Sequence, residues 1–178
     1  MKLDVELIST EIIKPTSPTP PNLRHYQLSF LDQVNPKVYN PLILYYASNT
    51  NSSSNNITQI SIHLKNSLSK VLTLYYPLAG RVKKDKFIDC NDEGVPFLEA
   101  QVKAQLSDVI DNPVLPICEL NKFVPFELDD YTETLLGVQL NFFESGGIAI
   151  GVCMSHQIAD ALSCIMFIKS FKLSLILW

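Results

Sequence analysis

Ile57, Ile60, Leu64, Leu68, Val71, Leu72 and Tyr75 recur at steps of three and four, a period that lines them along one face of a helix. Pro77 stops that helix, because proline has no N–H to give to the ladder. Upstream, residues 5–13 read as extended structure, and Pro15, Pro18, Pro20 and Pro21 exclude regular helix directly after them. Residues 42–46 form a short apolar run expected to be a buried strand. Residues 50–56 contain only Asn, Ser and Thr and are expected to form an exposed loop.

Downstream, residues 86–89 and 96–102 read as strands on either side of a turn at 91–94. Residues 111–125 carry three prolines and read as an irregular crossing segment. Residues 135–143 and 148–154 then read as two strands joined through 145–147, and residues 161–169 as helix. Such a hairpin delivers His156 to the end of its second strand. No internal repeat is visible. The elements add up to an α/β protein, a mixed sheet flanked by helices in one domain.

Composition narrows the class. A chain of 178 residues, 47% hydrophobic, can bury about two-thirds to three-quarters of its unfolded surface in one core. The formal net charge of −4 leaves no basic footprint for nucleic acid, and residues 83–86 read as a solvated turn. Asp4 and Glu6 interrupt the first apolar stretch, unlike a signal-peptide core, and the apolar residues 171–178 are too short to span a bilayer. The four cysteines form no Cys-x-x-Cys pair and only three histidines accompany them, which argues against a zinc site or a disulfide framework. The expectation is a cytoplasmic protein with reduced thiols, no metal and no membrane partner. The Asn-x-Ser/Thr triplets at Asn51 and Asn56 read as chance products of a polar tract.

The candidate chemistry lies at His156 and Asp160, four residues apart at a strand-to-helix junction. Neutral imidazole near pH 7 takes a proton from an alcohol and returns it later. The plainer reading is a capped helix start beside a structural histidine. Asp160 has two readings on its own: it orients the imidazole, as in a catalytic triad, or it caps the helix. Cys153 and Ser155 lie close enough to raise a nucleophile–base pair, but strand alternation sends Cys153 into the core. Gly146 and Gly147 need only be a turn, since no phosphate-binding glycine pattern exists here. His25 and His63 have no partner at motif spacing, and His63 is expected to be solvated.

Residues 8–20, 28–33, 75–81 (Tyr-Tyr-Pro-Leu-Ala-Gly-Arg), 137–147 and 156–160 (His-Gln-Ile-Ala-Asp) occur in that order. Together they resemble the amino-terminal half of the plant BAHD acyltransferases, which move an acyl group from coenzyme A to an alcohol or amine. The likeness runs from about Leu7 to about Ser170, and its first segments are most similar to the branch that acetylates alkaloids and volatile alcohols.

The resemblance implies a chloramphenicol-acetyltransferase-like fold, of which this chain is one half of two. It implies His156 as general base, acyl-CoA (by branch, acetyl-CoA) as co-substrate with no permanently bound cofactor, and a small alcohol or amine acceptor. It gives Asp160 a structural role, paired with an arginine of the carboxyl-terminal half that neither Arg24 nor Arg81 matches. Ala161 stands where many members carry glycine, which alanine replaces without strain in helical backbone. The family's second motif, Asp-Phe-Gly-Trp-Gly, belongs to the other half and does not occur here, and much of the coenzyme A site lies there too. Residues 1–170 are thus expected to be an acyltransferase domain and 171–178 a divergent tail from truncation or mis-splicing. Two further readings stand beside the enzyme: an inactive fragment that binds or regulates a full-length relative, and a truncation product without function.

Overall fold

The computed structural model describes residues 1–47, 54–112 and 114–176, the side chains of 54–57 and 172–176 excepted. Its strands are β1 (Val5–Ile13), β2 (His25–Gln27), β3 (Tyr39–Tyr46), β4 (Arg81–Lys83), β5 (Phe87–Asp89), β6 (Val95–Val102), β7 (Leu136–Phe143) and β8 (Ile148–Ser155). Its helices are α1 (Phe30–Val34), α2 (Ser54–Leu74), α3 (Leu106–Ile110), α4 (Ile117–Leu120) and α5 (Ala161–Ile176). Five strands form the main sheet in the order β1-β6-β7-β8-β3, and β2-β5-β4 form a small second sheet. Every neighbouring pair of the main sheet is antiparallel except β6 and β7.

The central strands read as apolar runs because both of their faces are covered. Side chains alternate along β7 and β8. Val138, Leu140 and Phe142, with Ile150, Val152 and Met154, share a core with Leu64, Leu68 and Leu72 of α2 and Phe167 and Phe171 of α5. The opposite face carries Phe143 and Ala149, which pack with Leu106, Val109, Leu115 and Phe123 from the segment between β6 and β7. Two polar side chains on that face, Gln139 and Asn141, are also buried. Gln139 Nε2 donates to Lys122 O at 2.8 Å and Asn141 Nδ2 to Phe123 O at 2.9 Å. They satisfy carbonyls of the crossing segment that would otherwise be buried without partners.

Several expectations need correction. Residues 42–46 are not a buried strand: they belong to β3 at the sheet edge, where Leu42 is exposed and only Tyr39 is fully covered. Helix α2 begins at Ser54 rather than Ile57, so residues 54–56 are its first turn and not loop; residues 50–53 lie outside the described residues. The strands at β5 and β6 do flank a turn, yet they enter different sheets. The crossing segment 111–125 contains α4 and a 3-10 turn at Asn121–Phe123. His63 is half-buried, not solvated. Helix α5 runs on through Ile176, with Phe171 buried and its carbonyl accepting from Ser67 Oγ at 3.0 Å.

A polar knot ties α2 to the sheet. Glu99 of β6 accepts from Ser9 Oγ at 2.5 Å, from Ser61 Oγ, and from Lys65 Nζ at 3.3 Å. Lys65 also pairs with Glu11 at 2.9 Å. Burial pushes the Glu99 carboxyl up, but the hydroxyl donors and the Lys65 charge outweigh it and hold the group below the ordinary glutamate value.

Candidate active site

Strand β8 ends at Ser155, but backbone pairing continues past it. Ser155 N–H donates to Leu135 O at 2.8 Å, and His156 N–H donates to Val38 O at 2.9 Å on the other side. Two asparagines from the β3 side hold the loop from its carbonyls. Asn35 Nδ2 donates to His156 O at 3.4 Å, and Asn40 Nδ2 to Ala159 O at 3.5 Å. The loop bearing the histidine is thus fixed to both of β8's neighbours before α5 begins.

His156 is half-buried, and its buried Nδ1 has no hydrogen-bond partner among the described residues. Asp160 does not supply one. Its exposed carboxylate accepts from Ser163 N–H at 2.7 Å, which caps the first turn of α5. Hydrogen bonds from the Ser163 side chain and backbone hold this carboxyl below its ordinary value. Of the two roles the spacing allowed, the geometry gives Asp160 the cap. Ala161 is the first residue of α5 and is not among the residues with positive φ, so alanine is unstrained there.

The nucleophile readings fail on burial. Cys153 is fully buried and its thiol is pushed up to about 12, leaving no thiolate near neutral pH. Ser155 is also fully buried, and its Oγ accepts from Gln157 N–H at 3.3 Å. The glycine pair lies in a turn: Gly146 has φ +81° and its N–H donates to Phe143 O at 2.9 Å, and a Cβ on Gly147 would meet Leu106 Cδ2 at 2.6 Å. Among the described residues no cluster of His, Cys, Asp or Glu is arranged to hold a metal, and no helix is long and apolar enough to cross a membrane.

Residues 75–81 are structural for the most part. Tyr75 meets Phe167 edge-on at 5.6 Å, Tyr76–Ala79 form a 3-10 turn, and Gly80 is pressed against Asp89 O. Arg81 is used internally: its guanidinium donates to Gly80 O and Gly94 O and pairs with Glu93 at 3.1 Å. Yet Tyr75, Pro77 and Leu78 also line an apolar cavity of about 380 Å³, together with Met154, Ile158, Ala159 and α5 residues such as Leu162 and Phe167. His156 does not line it; its loop neighbours Ile158 and Ala159 do. Sequence spacing missed both this cavity and the two asparagine pins, because each joins residues far apart in the chain.

Known proteins agree with this architecture. The sequence model of the Transferase family matches residues 3–173. The chain belongs to that family, the BAHD acyltransferases, and corresponds to an amino-terminal half. It is 46% identical to stemmadenine O-acetyltransferase of Catharanthus roseus over 178 residues, covering 96% of this chain and 42% of that protein. It is 45% identical to a limonoid 21-O-acetyltransferase of Melia azedarach, covering 95% of this chain and 40% of the relative. The crystal structure of vinorine synthase superposes with a TM-score of 0.86 at 44% identity, over 94% of this chain and 42% of that one. A TRI101 structure from F. sporotrichioides with coenzyme A and T-2 superposes at 0.68 with 18% identity, over 84% of this chain and 38% of that one, a likeness of fold. The chain therefore spans about two-fifths of the length of these relatives.

Proposed function

We propose that this chain carries the general base of an acyl-CoA-dependent acyltransferase acting on an alcohol or amine of plant specialised metabolism. Residues 1–170 are its acyltransferase domain and 171–178 a divergent tail from truncation or mis-splicing. The observation behind the reading is the half-buried His156, held by backbone pairing on both sides at the end of β8.

With the ring proton on the buried Nδ1, Nε2 carries the lone pair. It takes the hydroxyl proton as the acceptor oxygen attacks the thioester carbonyl. The tetrahedral intermediate collapses, the carbon–sulfur bond breaks, and the proton passes from His156 to the departing thiolate. No acyl-enzyme forms, consistent with the burial of Cys153 and Ser155. The acyl group is acetyl by likeness to the O-acetyltransferases above, and the setting is the cytoplasm. Much of the coenzyme A site is expected from the carboxyl-terminal half of the fold, as the family resemblance implies.

The test is acetyl transfer to alcohol acceptors by the chain alone and by the chain mixed with a separately made carboxyl-terminal half of vinorine synthase. Transfer that His156→Ala abolishes, with the melting curve unchanged, supports the reading. Near-normal turnover in that variant removes His156 from the mechanism. No transfer under either condition removes the activity.

A second reading has its own support. Leu162, Ile165 and Met166 of α5, and Phe30, Leu31 and Val34 of α1, are exposed, and apolar surface of this kind marks an association face. In this reading the chain is an inactive fragment that pairs with a full-length relative, and co-elution with such a relative without transfer would favour it.

A further inference from the structure

The residues on either side of His156 meet one phenol. Tyr131, in the stretch between the 3-10 turn and β7, donates its hydroxyl to Gln157 Oε1 at 2.7 Å. Ser155 interacts with the same phenol, partly offsetting the upward push that burial gives it. Ser155 and Gln157 are both fully buried, and Gln157 N–H donates back to Ser155 Oγ at 3.3 Å. Tyr131 is itself braced: its ring lies 5.7 Å from that of Tyr39, whose hydroxyl donates to Thr134 O at 2.8 Å. Gln157, the residue after His156, is thus fastened to a braced phenol.

Gln157 makes that fastening matter. Its Nε2 is buried with no partner among the described residues, so this amide is held through its Oε1, by the bond from the Tyr131 hydroxyl. Removing the hydroxyl leaves both ends of a buried amide unpaired. Such an amide gains by turning toward solvent or toward backbone, and either movement drags the adjoining peptide of His156.

We infer that Tyr131 is a positioning residue for His156, acting through the side chain of Gln157 rather than by contact with any ligand. The inference rests on His156 being the base, but it concerns how the imidazole is held and is measurable without turnover.

The experiment is nitrogen–proton correlation spectroscopy of the histidine rings in the whole 178-residue chain. With three histidines present, His156→Ala assigns the His156 signals. Tyr131→Phe keeps the ring and removes the hydroxyl. The expected result is loss of the single sharp set of His156 ring correlations, by broadening or doubling, while His25 and His63 signals and cooperative melting persist. Gln157→Met breaks the same hydrogen bond from the other side and is expected to give the same signature, which keeps the test decisive if Tyr131→Phe does not fold. His156 signals that coincide with wild type in a folded variant overturn the inference.

In the transfer assay, Tyr131→Phe is expected to lower kcat by about tenfold or more with the KM for acyl donor unchanged, since misplacement of a reacting group acts on the chemical step. A raised KM at unchanged kcat would contradict positioning. Failure of all transfer would overturn the functional reading while the ring signals still decided this one.

Discussion

Four residues separate His156 from Asp160, and the carboxylate accepts from Ser163 N–H at 2.7 Å instead of orienting the ring. The consequence is a clean separation of effects. Asp160→Asn keeps an acceptor at the cap and is expected to leave the melting temperature nearly unchanged, whereas Asp160→Ala lowers it by a few degrees. Both are expected to leave the imidazole signals of His156 in place, which a triad-like carboxylate would not allow. Calorimetry beside ring spectroscopy reads the two properties in one preparation. Glu99 gives a second residue-scale expectation. Its folded value is depressed, so its contribution to stability is present above the ordinary glutamate range and is lost as pH falls through that range and below. Glu99→Gln should therefore flatten the acid limb of the stability curve, measured by urea unfolding at a series of pH values. An acid limb as steep as wild type would discount the knot.

Between elements, close approach sets the limits. Gly151 of β8 lies beneath the crossing segment, and a Cβ there would meet Phe123 O at 2.0 Å. Backbone cannot yield as a side chain can, so Gly151→Ala is expected to cost about 1–3 kcal/mol or more by overpacking, read as a lowered denaturant midpoint. The crossing segment is also where sequence reading was weakest. Helix α2 and the β7–β8 hairpin were legible because their apolar periods are long and regular. The edge position of β3 was not, since an apolar run looks alike in a central and a peripheral strand until its neighbours are known. Nor was the role of Gln139 and Asn141, whose partners Lys122 and Phe123 stand 17 and 18 residues away with no period to mark them. At the site, the histidine and the helix cap were readable from local spacing, while Asn35, Asn40 and Tyr131 act across separations that no local pattern encodes.

For the molecule as a whole, exposed apolar side chains on α5 and α1 predict concentration-dependent association of the chain. Leu162→Lys combined with Ile165→Lys is expected to shift sedimentation toward the monomer without altering the melting curve. Association unchanged by that pair would place the contact elsewhere. A further consequence follows from the order β1-β6-β7-β8-β3. Strand β3 has β8 as its one sheet neighbour, pairing Tyr39 with Ser155 and Tyr46 with Ile148. During synthesis, β3 leaves the ribosome long before the strand that will receive it. The β1–β6 pair and the α2 segment can form early, but β3 must wait for β8. A nascent chain halted short of β8 would therefore lack both the seat for β3 and the residue His156, so the seating of β3 and the arrival of that histidine are one event in time.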